Sequence, residues 1–175
     1  MSEAHEAHEA LTICTYPNPV LRASAEEIKQ IDDTTQQLID EMIYTMYAAP
    51  GIGLAANQVG ELKRVIVFER CPGGESRDPC VLLNPEIVMR EGESISEEAC
   101  LSVIDYAAEV TRSANVRVRG VDRHGKPLEM DAEGLLAICL QHEIDHLDGV
   151  LYIDHISSLK RALYKKKLKK LLKNH

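Results

Sequence analysis

Two histidines and a glutamate stand together near the C-terminal end as His142-Glu143-Ile144-Asp145-His146, an H-E-x-x-H pattern. Residues four apart lie one above the other on a helix face, so both imidazoles can reach one metal ion. Glu143 is rotated about 100° from His142, which lets its carboxylate approach a metal-held water without being a ligand. The stretch before the pattern, Gly134-Leu135-Leu136-Ala137-Ile138-Cys139-Leu140, is apolar. Two His and a Glu on so apolar a helix cost free energy unless a partner compensates them. Metal ligation is therefore expected rather than a structural pair of histidines.

A catalytic divalent site takes three protein ligands and leaves one position open. Leu147-Asp148-Gly149 continues the pattern of one protease class, but Tyr152 stands where its third His is required. No acid follows Asp154, so a downstream carboxylate ligand is also excluded. His155 lies beyond Gly149, which is expected to break the helix. The third ligand is expected upstream, where the chain offers Glu98-Ala99-Cys100-Leu101-Ser102. Another segment, Gly51-Ile52-Gly53-Leu54-Ala55-Ala56-Asn57-Gln58, has two glycines that permit close backbone approach. No Lys-Ser or Lys-Thr follows, so it is no phosphate loop. On its residues it is a turn leading into small core side chains.

These residues need elements to hold them. From position 24, Ile31, Leu38, Met42, Ile43 and Met46 recur at helical spacing until Pro50-Gly51. Val65-Ile66-Val67-Phe68 reads as a buried strand, and Val81-Leu82-Leu83 as one ended by Asn84-Pro85. Val116, Val118 and Val121 alternate with Arg117 and Arg119 as a half-exposed strand. It turns through Asp122-Arg123-His124-Gly125 into a partner at 127–131. Residues 132–147 form a buried helix. Residues 156–173 form an amphipathic one, with Leu159, Leu163, Leu168 and Leu171 seeking a surface. Strands and helices do not alternate regularly. The fold expected is α+β: mostly antiparallel sheets around a central helix carrying H-E-x-x-H, with a C-terminal helix.

The 175 residues suit one domain over 1–159, with a basic helix at 160–175 packed on it. Residues 2–10, SEAHEAHEA, read as part of a flexible, solvated leader over 1–10. Positions 160–175 hold eight basic residues and no acid, while the first 159 hold 12 basic against 28 acidic. An acidic body with no Trp and one Phe excludes an aromatic platform for nucleic acid, and no specific DNA binding is expected. No apolar run approaches a membrane span. The acidic N-terminus is no signal peptide, so a reducing cytoplasm is expected, with Cys14, Cys71, Cys80, Cys100 and Cys139 unpaired.

Three segments together, G-x-G-x-A-A-x-Q at 51–58, E-A-C-L-S at 98–102 and Q-H-E-x-D-H at 141–146, resemble the peptide deformylases. Order and separation match, and the likeness runs from Tyr16-Pro17-Asn18-Pro19-Val20-Leu21-Arg22 to the C-terminal helix. The resemblance implies removal of formate from the N-formyl-methionine of new polypeptides. It implies Cys100, His142 and His146 as ligands of one divalent metal ion, commonly ferrous iron, with zinc, nickel or cobalt able to replace it. Glu143 would activate the metal-bound water, and Gln58 and the Leu101 N–H would hold the oxyanion. Ile52, Gly53, Leu135, Ile138 and Cys139 match pocket positions for the methionine side chain, and Glu98 and Gly53 positions that hold the substrate backbone. The basic C-terminal helix resembles that of one bacterial class and could dock on the ribosome.

Departures from the family pattern fall on the substrate-facing strand. Ala99 replaces a Gly, Ile104-Asp105 replace a Pro and an often-found Gly, and Ala107 replaces a basic residue. Ala99 would be strained if that position requires positive φ. Two rival readings are a metalloprotease and a metal- or peptide-binding relative without turnover.

Overall fold

Short apolar runs bounded by turn residues set the architecture. The computed structural model describes residues 9–174. Helix α1 (Asp33–Ala48) is followed by strands β1 (Gly53–Ala55), β2 (Val65–Glu69), β3 (Pro79–Glu91), β4 (Ser94–Cys100), β5 (Val103–Arg112), β6 (Asn115–Val121) and β7 (Pro127–Glu133). Helices α2 (Gly134–Leu147) and α3 (Ser158–Lys173) close the chain. Every strand pairing is antiparallel: one sheet runs β1-β2-β3-β6-β7, and β4-β5 forms a second. The fold is α+β, as expected.

The central helix is α2. Its Ala137, Leu140, Ile144 and Leu147 pack on Ile66, Phe68, Leu82, Val116 and Val118 from one face of the large sheet. Leu38, Ile39, Met42 and Met46 of α1 cover Val65, Val67, Val81 and Leu83 on the other face. β2 is thus buried on both sides, which is why its sequence is apolar without alternation. A further cluster joins Val103, Ala108 and Val110 of β5 to Leu151, Tyr152 and Ile153 and to Tyr164 and Leu168 of α3.

Four sequence expectations need correction. Helix α1 begins at Asp33, not at 24, because Asp32 caps it by accepting from the Thr35 N–H at 2.9 Å. The preceding segment is extended, with Ala25 N–H bonded to the Leu147 carbonyl and Ile28 N–H to Asn84 Oδ1. β3 does not end at Asn84-Pro85; the ladder shifts register between Leu83 and Glu86, and a proline without an N–H is tolerated at such an irregularity. The 51–58 segment is not only a turn: Gly53–Ala55 pairs with β2 before a 3-10 turn at Ala56–Val59. Finally, Leu159 and Leu163 of α3 stay exposed, and the helix packs through Tyr164 and Leu168.

The region 94–112 shows no apolar periodicity but forms the β4-β5 hairpin, the element that approaches α2 across the site. All five cysteines are unpaired. No helix among the described residues is long and apolar enough to cross a membrane. The SEAHEAHEA repeat lies, up to position 8, outside the described residues.

Candidate metal and catalytic site

Helix α2 turns His142, Glu143 and His146 inward, all of them buried. The β4-β5 hairpin brings Cys100 against them. His142 Nε2 and His146 Nε2 are 3.2 Å apart, and Cys100 Sγ lies 3.3 Å from His146 Nε2. The three ligand atoms all fall within 4.8 Å of one another.

The far side of His142 is fixed. Its Nδ1 is 2.9 Å from Glu98 Oε2, so the Nδ1–H donates to the carboxylate and Nε2 is turned toward Cys100 and His146. Burial, together with the neighbouring His142, pushes His146 well below its ordinary range, so His146 is a neutral donor, whereas bonds to Cys100 and Glu98 outweigh burial and push His142 up. Two imidazole lone pairs and a thiol converging in a buried space fit a tetrahedral divalent ion with one open position.

Glu98 is held in turn by Arg112, which donates from Nε at 2.8 Å and from Nη2 at 3.0 Å. Burial raises a carboxyl, but the bonds from His142 and Arg112 outweigh it and hold Glu98 down at about 2. Arg112 also reaches Asp145, whose Oδ2 is 2.8 Å from His155 Nε2. The Glu98 carboxylate is therefore fully engaged. Glu98 nonetheless borders the cavity.

Gln58 is aimed by its neighbours. The Ala55 N–H donates to Oε1 at 3.0 Å, which leaves Nε2 to face Ser102 Oγ at 3.2 Å and Cys100 Sγ at 3.6 Å. Leu101, next to Cys100, borders the same space. A cavity of about 430 Å³ opens from these groups. Ile52, Gly53, Leu135, Ile138 and Cys139 line its apolar wall, and Gln58, Cys100, His142 and Glu143 its polar end.

Glu143 Oε2 is buried with no hydrogen-bond partner. Burial pushes its carboxyl up to about 7. Gly53 gives it room: a Cβ there would sit 2.7 Å from Glu143 Oε1 and 2.7 Å from Cys139 Sγ. Gly53→Ala is expected to displace Glu143 and lower turnover about 10²-fold with metal content unchanged, read by steady-state rates and metal analysis.

Ala99 keeps ordinary negative φ, so its Cβ causes no strain; the left-handed residue nearby is Asp105, at φ 52°. Arg112, Asp145, His155 and Ser102 are the supporting residues that motif reasoning missed. Asp145 lies inside the H-E-x-x-H segment, but Arg112 carries no local signal.

The family model of the polypeptide deformylases matches residues 10–162. The chain belongs to that family. A peptide deformylase of Mesorhizobium japonicum is 54% identical over 159 residues, covering 90% of each chain. The crystal structure of a peptide deformylase from Legionella pneumophila superposes with a TM-score of 0.88 at 43% identity, covering 94% of this chain and 96% of that one. The class I type b peptide deformylase of Acinetobacter baumannii, whose crystal structure has Met-Ala-Ser bound, has a TM-score of 0.80 at 32% identity and covers 85% of this chain and 99% of that one. Peptide deformylases are metallohydrolases acting on peptide substrates, and the convergent Cys100, His142 and His146 are consistent with metal binding.

Proposed function

We propose that this chain removes formate from N-formyl-methionyl polypeptides, the reading the sequence resemblance implies. The observation that carries it is Glu143, with its buried Oε2 unpartnered, beside the Cys100, His142 and His146 donors at the polar end of a largely apolar cavity. Cys100, His142 and His146 would hold one divalent ion, ferrous iron in the cell, with zinc, nickel or cobalt able to replace it in preparations. When bound, that ion lowers the pKa of a coordinated water and polarises a carbonyl.

The remaining work falls to the protein. Glu143 accepts a proton from the attacking water and returns it to the leaving amine as the formyl C–N bond breaks. A carboxyl poised near neutrality is suited to both transfers. Gln58 Nε2 and the Leu101 N–H donate to the oxyanion that develops on the formyl oxygen. The same two groups crowd the acyl carbon, so a formyl hydrogen fits where an acetyl methyl clashes. Ile52, Gly53, Leu135, Ile138 and Cys139 receive the methionine side chain, an apolar wall for a flexible apolar group. The Met-Ala-Ser bound to the Acinetobacter relative has the sequence of such a product.

A formylated substrate arises at the ribosome, which supports a cytoplasmic location. Helix α3 offers eight basic residues, a surface suited to phosphate-rich RNA.

The test is formate release from formyl-Met-Ala-Ser by protein loaded anaerobically with ferrous iron. Release is expected, with acetyl-Met-Ala-Ser left intact. Folded, metal-loaded protein that releases no formate, or that cleaves internal bonds of unblocked peptides, would overturn the proposal.

A further inference from the structure

The β4-β5 hairpin is irregular where it carries the site. Ala99 pairs with Ala107 and Cys100 with Val103, so Ile104, Asp105 and Tyr106 are looped out of the ladder. Their carbonyls lose β4 as a partner, and because Ile104 and Asp105 are exposed, donors from the protein serve to order the segment rather than to rescue buried groups. All three find donors elsewhere. Tyr164 Oη donates to the Ile104 carbonyl at 3.3 Å, Lys167 Nζ to that of Asp105 at 2.7 Å, and Tyr152 Oη to that of Tyr106 at 2.7 Å. Two of the three donors belong to α3. The Tyr106 and Tyr164 rings, 4.6 Å apart at their centroids, reinforce the contact.

The looped residues hold an uncommon backbone. Asp105 sits at φ 52°, a region that glycine enters freely and other residues only at a cost. The segment is not itself in the cavity wall, but it adjoins Cys100 and Leu101, which are. Tyr152 also lies over the His142 ring, with centroids 6.0 Å apart, so the same cluster backs a second member of the donor triad.

We propose that α3 is a positioning element of the active site, its Tyr164 and Lys167 holding the looped segment 104–106 that presents the Cys100 thiol and the Leu101 N–H. This rests on the deformylase reading for its kinetic consequence and on the bulge geometry for its structural one. A slack segment misplaces a donor that acts on the oxyanion, so turnover suffers more than substrate binding.

The test is a double-mutant cycle on the full chain. Lys167→Met is expected to lower kcat on formyl-Met-Ala-Ser about fivefold while KM stays within about twofold, and Lys167→Arg to restore it. Deuterium uptake over residues 100–107 should rise in Lys167→Met and return in Lys167→Arg. Asp105→Gly removes the conformational cost that Lys167 offsets, so in that background Lys167→Met should cost less than about twofold. Equal costs in both backgrounds, or unchanged kcat and uptake in an active enzyme, overturn the proposal. Absence of formate release from the unmutated protein counts against the proposed function, and the uptake comparison still decides the positioning role.

Discussion

Glu143→Ala should lower formate release by about 10²–10⁴-fold while the protein keeps one metal ion per chain. The carboxylate is not among the three converging ligand atoms, so its loss leaves the donor set intact. It is buried at the polar end of the cavity with Oε2 unpartnered, which leaves that oxygen free to take a proton from a water. Metal analysis beside the rate measurement decides the matter. Near-full activity would sink the assignment of Glu143 as base, and loss of metal in step with activity would make it a structural support.

A stability measurement on the metal-free protein checks the same residue independently. Burial raises the Glu143 carboxyl from 4.5 to about 7, so the folded state retains a proton that the unfolded state gives up between those values. The unfolded state then binds fewer protons, and this group's contribution to stability falls as pH rises from about 4.5 to 7, levelling above. Glu143→Gln removes that fall. The metal-free variant should therefore gain on the unmutated protein at pH 8 relative to pH 4, read by thermal melting. A buried carboxyl that burdens the fold in this way is the kind of cost expected where stability is exchanged for activity.

Arg112→Ala should destabilise the protein by about 3–5 kcal/mol, because it strands charge inside the molecule. The Arg112 and Glu98 side chains are each only 4% exposed, and Asp145 shares the guanidinium. Removing the cation leaves Glu98 without the partner that helps hold it ionised at about 2. For a chain of this length the thermal midpoint should drop by about 10 °C. Glu98 also orients His142, and loss of such outer support typically weakens metal binding by about 10–100-fold. Arg112→Lys should rescue poorly, since one ammonium cannot reproduce the two-pronged hold on Glu98. Arg117→Ala is the comparison: that side chain is 42% exposed, and its pairs with Asp131 and Glu129 lie in solvent, so little change is expected. A midpoint within about 2 °C of the unmutated protein in Arg112→Ala would refute the account.

Local pattern was legible wherever one physical cause dominated. The β6-β7 hairpin followed from alternation and a Gly-containing turn, and α2 from a continuous apolar run ending in the H-E-x-x-H face. Boundaries failed where distant partners took over the backbone. The stretch before α1 satisfies its N–H groups against Leu147 and Asn84, which no local rule anticipates. β3 runs through Asn84-Pro85 because its neighbour tolerates a register shift there. The β4-β5 hairpin escaped periodicity because its residues serve the site and a small second sheet rather than a two-sided core.

By itself the sequence determined the donor types, their helical spacing and their order along the chain, since these are covalent facts read through helix geometry. It also determined the α+β class, through where apolar residues recur. Tertiary structure decided what those groups face. Only folding showed Glu98 turned to Arg112 and His142, Gln58 aimed by the Ala55 N–H, and the looped residues of β5 tied to α3. Each of those choices depends on partners 14 to 62 positions away, except the Gln58 bond across three. Long-range contacts are fixed by packing and by the cost of leaving buried polar groups unpaired, and neither has a period in the chain.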